Sequence, residues 1–333
     1  MNWWAFALRL LVIAAMIPAA AYVLGYGFLK VLAHMQYRLG PMEAGRFHGV
    51  GQLLADGLKF LQKEDLVPDK ADRPVFLFAP AVVLVGVVLV YMTIPFGPPP
   101  LNIVNLDSQL FVMLAASSLG TIGVLMAGWS SANKYSMMGG FRAAGQLLAY
   151  ELPLILAAVG VVMQAGTLNL DGIVHAQSQF HLFGTSIAIP YVIPQFIGFV
   201  VFIIASQAEL SQAPFDMPFA ESELVAGFAT EYSGFRYLFF FLAEFASNFA
   251  FAAIGATLFL GGYWVPLVPQ KALWIVGPIA LAVKIGILVF VFFWMRSTYP
   301  RLREDQLQRF AWKWLIPISL VNIGLTGILK VVA

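Results

Sequence analysis

Cysteine is absent from the 333 residues, and charge is scarce. Without a thiolate the chain can hold no iron–sulfur cluster, no Cys-ligated metal and no disulfide. Four His are present, and no two stand at a metal-ligand spacing. Any redox role must therefore be borrowed from a partner. Asp, Glu, Lys and Arg make up only 11% of the chain, against roughly 25% in a soluble domain. None of the four types occurs between Arg73 and Asp107, or between Asp171 and Glu209. An ordinary soluble domain, a disordered chain and a disulfide-stapled secreted domain are all excluded.

What the sequence does hold is apolar: 60% of its residues. A membrane-spanning helix needs about 20 mostly apolar residues. Eight segments qualify, giving an all-α integral membrane protein with one polytopic domain over residues 1–333. They run Leu10–Leu29, Phe78–Phe96, Leu110–Gly128, Ala143–Met163, Pro190–Ser206, Phe235–Gly261, Leu273–Met295 and Trp314–Val332. The first has no small-residue cleavage site before its charged loop and reads as a span, not a removable signal. Eight spans put both termini on one side. Fourteen of the 19 Lys and Arg then fall on the opposite side, and three (Arg9, Lys271 and Lys330) on the terminal side. The positive-inside rule predicts that the cation-rich face is cytoplasmic, in a cell (inner) membrane. Its loops are expected at about 36–75, 129–142, 208–234 and 296–312. No internal repeat of the kind found in many secondary transporters is visible.

The first of these loops carries an amphipathic stretch. Val50, Leu54, Leu58 and Leu61 share one helical face, and Gln52, Asp56, Lys59 and Lys63 the opposite one. This predicts a helix in the membrane interface; a sharper reading makes it the wall of a cavity there. The third loop crowds Glu209, Asp216, Glu221, Glu223 and Glu231 into 23 residues with no base until Arg236. Asp216 is placed to cap a helix that Pro218 helps to start. A solvated acidic loop is one reading. The flanking Phe215, Phe219, Phe228 and Tyr232 favour another, with partly buried, mutually coupled acids.

Ionisable residues inside a span are functional candidates by default. Counted inward from the cation-rich face at 1.5 Å per residue, Glu151 lies about 13 Å deep, Glu244 about 12 Å and Lys284 about 18 Å. The loop acids, Glu151 and Glu244, then Lys284 would form a file suited to a proton relay. The plainer alternative is a structural ion pair between Lys284 and one of the acids.

Several motifs carry a resemblance. Gln36–Pro41 with Gln52, Ala55-Asp56, Lys59 and Lys63-Glu-Asp65 is similar to the first loop of one membrane-subunit family of respiratory complex I, the H or subunit 1 family. Gly128-Trp-Ser-Ser-Ala-Asn-Lys-Tyr135, with Arg142, Gln146 and Tyr150-Glu151, resembles that family's second loop and fourth span. Ala213-Pro-Phe-Asp216, Glu221-Ser-Glu-Leu224 and Thr230-Glu-Tyr-Ser-Gly234 resemble its third loop. Phe241-Leu-Ala-Glu244 and Lys284 match the next two spans. Arg296, Pro300-Arg301, Arg303, Asp305-Gln-Leu307 and Trp312 match the last loop. The likeness covers nearly the whole chain.

The resemblance implies a membrane subunit of a proton-pumping NADH-quinone oxidoreductase, inactive alone, that forms the quinone chamber and the start of the proton path. Arg38, Asp56, Lys59, Phe215 and Phe228 would belong to the chamber. Asp216, Glu221, Glu223, Glu231, Glu151, Glu244 and Lys284 would form the path. Quinone would be the substrate. The iron–sulfur clusters and FMN are expected in partner subunits, and the partners would be the peripheral-arm quinone-site and iron–sulfur subunits, small membrane subunits and lipid, with no nucleic acid. The chain departs from the family's pattern at Phe28-Leu29, where a Glu-Arg pair is usual. It departs again at Met42 for Asn, Phe219 for Glu and Glu304 for Tyr. Two rivals stand beside this reading: the membrane anchor of a hydrogenase-type or other-donor ion pump, and a stand-alone proton-coupled transporter.

Overall fold

In the computed structural model, residues 3–99, 101–180, 188–266, 268–269 and 272–332 are described. Among them there is no strand. Twelve α-helices follow one another in these residues: α1 Trp3–Met35, α2 Gln52–Gln62, α3 Arg73–Thr93, α4 Gln109–Ser130, α5 Lys134–Ala165, α6 Leu170–Gln179, α7 Phe196–Glu209, α8 Glu221–Leu224, α9 Gly234–Phe259, α10 Leu273–Thr298, α11 Glu304–Phe310 and α12 Ile316–Val332. A π-helical stretch, Ala311–Leu315, joins α11 to α12. Seven segments are long and apolar enough to cross a membrane: α1, α3, α4, α5, α9, α10 and the α11–α12 run.

The fifth expected span, Pro190–Ser206, differs. Its helix begins at Phe196, not Pro190, and has 14 residues. At 1.5 Å per residue that is about 21 Å, short of a hydrocarbon core of about 30 Å. The cause is local. Pro190 precedes the turn residues 191–195, which include Pro194. Gln195 then spends its amide on side chains, donating to Gln164 at 3.0 Å and Thr326 at 2.7 Å and accepting from Asn322 at 2.9 Å. The same network fastens α12 to α5. Lys271, expected on the terminal face, lies outside the described residues.

Helix boundaries follow from capping. Asn133 accepts the Tyr135 N–H at 2.8 Å and opens α5. Gly166, at φ +75°, closes it in the left-handed region where Gly carries no penalty. Pro18, Pro80, Pro153 and Pro278 lie inside helices, which neighbouring spans tolerate in a bilayer. α5 packs on α4, α7 and α12, and α9 on α1, α3 and α10. α3 and α4 approach closely at Gly86, where a Cβ would stand 3.0 Å from the Ala116 carbonyl oxygen. The core aromatics bond across helices. Tyr91 donates to Ala246 O at 3.0 Å, and Tyr150 to Leu307 O at 3.0 Å.

α2 covers the predicted amphipathic stretch. Leu54, Leu58 and Leu61 are exposed along it. An apolar face left open on a helix beside the charged loops is the geometry of an interfacial helix.

Candidate functional site

The acidic loop between α7 and α9 lies flat against α5. Gly139 makes this possible, because a Cβ there would meet the Phe228 nitrogen at 2.6 Å. Gln146 of α5 donates to Ala208 O at 2.6 Å and to Phe215 O at 2.7 Å. Ser136 donates to Phe228 O at 2.9 Å. The loop is thus held to α5 through its backbone carbonyls. Residues 213–220 form turns, and the short α8 begins at Glu221 with Ala220 at its N-cap position. The helix start expected at Pro218, capped by Asp216, is therefore corrected.

The loop's acids are also less isolated than their spacing suggests. Glu223 meets Arg142 at 2.6 Å and Arg301 at 3.4 Å. Arg142 also faces Glu304 at 3.6 Å. Asn133 donates to Glu231 at 2.5 Å. The expectation of a carboxylate cluster without cations fails at Glu223, because its cations arrive from α5 and from the segment between α10 and α11. The Arg142 hydrogen bond holds the Glu223 carboxyl below the usual glutamate range, with the Arg301 charge adding to it. Asp216 is half-buried and has an interaction partner. The side chain of Glu221 lies outside the described residues.

Below the loop, α4, α7 and α9 enclose a cavity of about 110 Å³. Its polar lining is Ser117, Thr121, Glu209, Ser211, Glu244 and Ser247, and Phe219 and Phe228 roof it. At about 30 Å³ per water there is room for a few waters. One carboxylate oxygen of Glu209 is buried with no hydrogen-bond partner among the described residues. Glu151 accepts the Ser118 hydroxyl, on the residue next to the cavity's Ser117. A second cavity of about 50 Å³ shares Val83, Ser117, Gly120, Ser247 and Phe251 and continues toward Val90 and Ile254. Carboxylates and hydroxyls around space for water can accept, hold and pass a proton. No covalent chemistry is implied.

Glu244 pairs with Arg296 at 3.0 Å and accepts from Gln212 at 3.3 Å. The Arg296 guanidinium lies 4.4 Å over the Phe28 ring. Lys284 behaves differently. Its ammonium donates to Gly262 O at 2.8 Å and Trp264 O at 2.6 Å, in the turn after α9 and away from the charged loops. Among the described residues no ion pair joins Lys284 to an acid.

The other expected residues lie elsewhere. Phe215 is buried, its ring 5.2 Å from that of Tyr150. Arg38 is exposed and donates to Gln36 at 2.8 Å. On α2, Asp56 accepts from Gln52 at 3.1 Å, with Lys59 at 3.8 Å. Of the expected chamber and path residues, Phe228 and Glu244 line the cavity and Glu151 adjoins it. Sequence reasoning missed Ser117, Thr121 and Ser247. The signal was there: Ser117 and Thr121 are four apart on one face, and Ser247 is three past Glu244.

The chain matches the family described as NADH dehydrogenase over residues 8–327. It is similar to proteins named as the H subunit of NADH-quinone oxidoreductase. That of Anoxybacillus flavithermus is 46% identical over 308 residues, 92% of this chain and 89% of the relative. That of Geobacillus kaustophilus is likewise 46% identical with the same coverage. That of Bacillus cytotoxicus is 44% identical, again over 92% of this chain.

Proposed function

The chain belongs to the H-subunit family of NADH-quinone oxidoreductase, a membrane component of a multi-subunit enzyme, and from that premise we propose that it couples quinone reduction to proton movement. Quinone reduction takes two electrons and two protons and yields quinol. This chain has no Cys and supplies no cluster. The electrons come from iron–sulfur clusters and FMN in partner subunits, and the chain's part is to hold the quinone and move protons.

The observation that carries this reading is the cavity between α4, α7 and α9. It brings Glu209 and Glu244 to one space, with Glu151 joined to its wall through Ser118. Carboxylates that face one small cavity repel, so a proton gained by one would alter the others. One unit of such a shift corresponds to about 1.36 kcal/mol. Charge that appears at a reduced quinone beside the acidic loop is passed inward as a change of protonation. The first loop, with Arg38, Asp56 and Lys59, and the Phe215–Phe228 segment form the quinone's side of the chamber. Asp216, Glu221, Glu223 and Glu231 stand between the chamber and the cavity. Lys284 acts last, near the opposite face. The surplus of cations on the charged loops supports placing them in the cytoplasm, facing the electron-carrying subunits.

The test uses the assembled complex. Glu151→Gln and Glu244→Gln each keep shape and remove an ionisable group. Both are expected to assemble and to lose proton pumping coupled to quinone reduction. Pumping at the wild-type ratio of protons to electrons in both variants removes these residues from the path.

A further inference from the structure

A second concave site lies on the outside of the helix bundle, between α7 and α12. It has a volume of about 300 Å³ and presents no polar surface. Phe196, Val200 and Ile204 form one wall, and Phe310, Trp314 and Ile318 the other. The eight steps from Phe310 to Ile318 span about 12 Å. The helix widens to π geometry over Ala311–Leu315, a departure often found at functional positions.

Two features say what fills the groove. Helices that pack together in a bilayer meet through small residues, whereas these walls are aromatic and branched. They suit a flexible chain better than a second helix. The second feature is charge. Arg309 and Lys313 precede the wall residues Phe310 and Trp314, and both are exposed at the charged-loop end of the groove. Neither has an ion-pair or hydrogen-bond partner among the described residues. The acids nearest in sequence are taken: Glu304 faces Arg142 at 3.6 Å, and Asp305 faces Arg303 at 3.3 Å. Trp312 and Trp314 are 57% and 62% exposed, at the level where indole rings prefer the headgroup region.

We infer that this groove binds an anionic phospholipid, with one acyl chain between α7 and α12 and the phosphate held by Arg309 and Lys313. Basic side chains beside a groove between spans are suited to such headgroups. The site is separate from the acid-lined cavity and does not depend on the quinone reading.

The test places the assembled complex in phosphatidylcholine vesicles. These are doped with phosphatidylglycerol carrying a diazirine acyl chain, or with phosphatidylcholine carrying the same chain. Peptides 196–204 and 310–318 are expected to take several-fold more label from phosphatidylglycerol. The double variant Arg309→Gln, Lys313→Gln should abolish that preference. Ile197→Trp, which narrows the groove and keeps both cations, should lower labelling from both lipids. This variant carries the test if the double variant fails to assemble. Equal labelling from the two headgroups overturns the proposal. So does a preference that survives loss of both cations, or undiminished labelling in Ile197→Trp. Displacement of the label by excess quinone, or crosslinking of these peptides to another subunit in place of lipid, overturns it as well.

Discussion

Glu223→Gln tests whether cations distant in sequence hold the acidic loop in place. The carboxylate meets Arg142 at 2.6 Å and Arg301 at 3.4 Å, and its side chain is 51% exposed. Exposed ion pairs contribute roughly 0.2–1 kcal/mol each. The shorter contact is a charge-assisted hydrogen bond and belongs near the top of that range. Together the two come to about 1–2 kcal/mol, or roughly a 5- to 30-fold change in the population of an opened loop. Hydrogen–deuterium exchange of peptides across 213–231 in the assembled complex reads this directly. The variant should exchange faster there and unchanged in α9. Raising the salt should shrink the difference by screening the wild-type pairs. The pH dependence has a definite sign. The folded carboxyl is held below its ordinary value by the Arg142 hydrogen bond. The contribution is therefore full above the unfolded value of about 4.3 and is lost as pH falls through the lowered folded value. Wild type and variant should converge only in acid. Identical exchange at neutral pH and low salt would refute the reasoning.

Two further outcomes follow from single contacts. Phe28→Leu removes the ring beneath Arg296 and should cost about 0.5–2 kcal/mol. A double-mutant cycle with Arg296→Met, read by thermal unfolding of the complex, should give a coupling of that order, and a coupling near zero would exclude the contact. Lys284→Met leaves the Gly262 and Trp264 carbonyls without their donor and should cost about 1–3 kcal/mol, seen as faster exchange across the turn after α9. Unchanged exchange across that turn would refute the contribution of these two bonds, whatever the variant does to pumping.

The spans were legible because a bilayer demands long apolar stretches, and seven of the eight segments coincide with helices of spanning length. The fifth was misjudged at its start. Window hydropathy counts Pro190–Gln195 as apolar surroundings, yet two Pro and a side-chain-bonded Gln delay the helix to Phe196. α2 was legible from its stripe of Val and Leu. The loop's pairing was not, since Arg142 and Glu223 stand 81 residues apart. Depth along an axis did not show what Lys284 bonds, for a physical reason. Counting residues locates a Cα, while a long flexible side chain reaches whichever polar group lies within its length. Here that was a pair of carbonyls on the far side of the bundle.

The departures at Phe28 and Phe219 bear on the same electrostatics. Where a Glu-Arg pair is usual on the first helix, this chain has Phe28-Leu29. One acid and one base are gone together, so local charge is conserved. Arg296 then has Glu244 on one side and the Phe28 ring on the other. A guanidinium between a carboxylate and a ring face is well satisfied. Phe219 has no such balance, since an acid is lost there without a base. Its ring lies 4.9 Å from that of Phe228, and both line the cavity above Glu209 and Glu244. An aromatic wall lowers the local dielectric, which strengthens the coupling among the acids that remain. Under the proposed function, Glu209 and Glu244, which line the cavity beneath this wall, would then act on each other across a drier space.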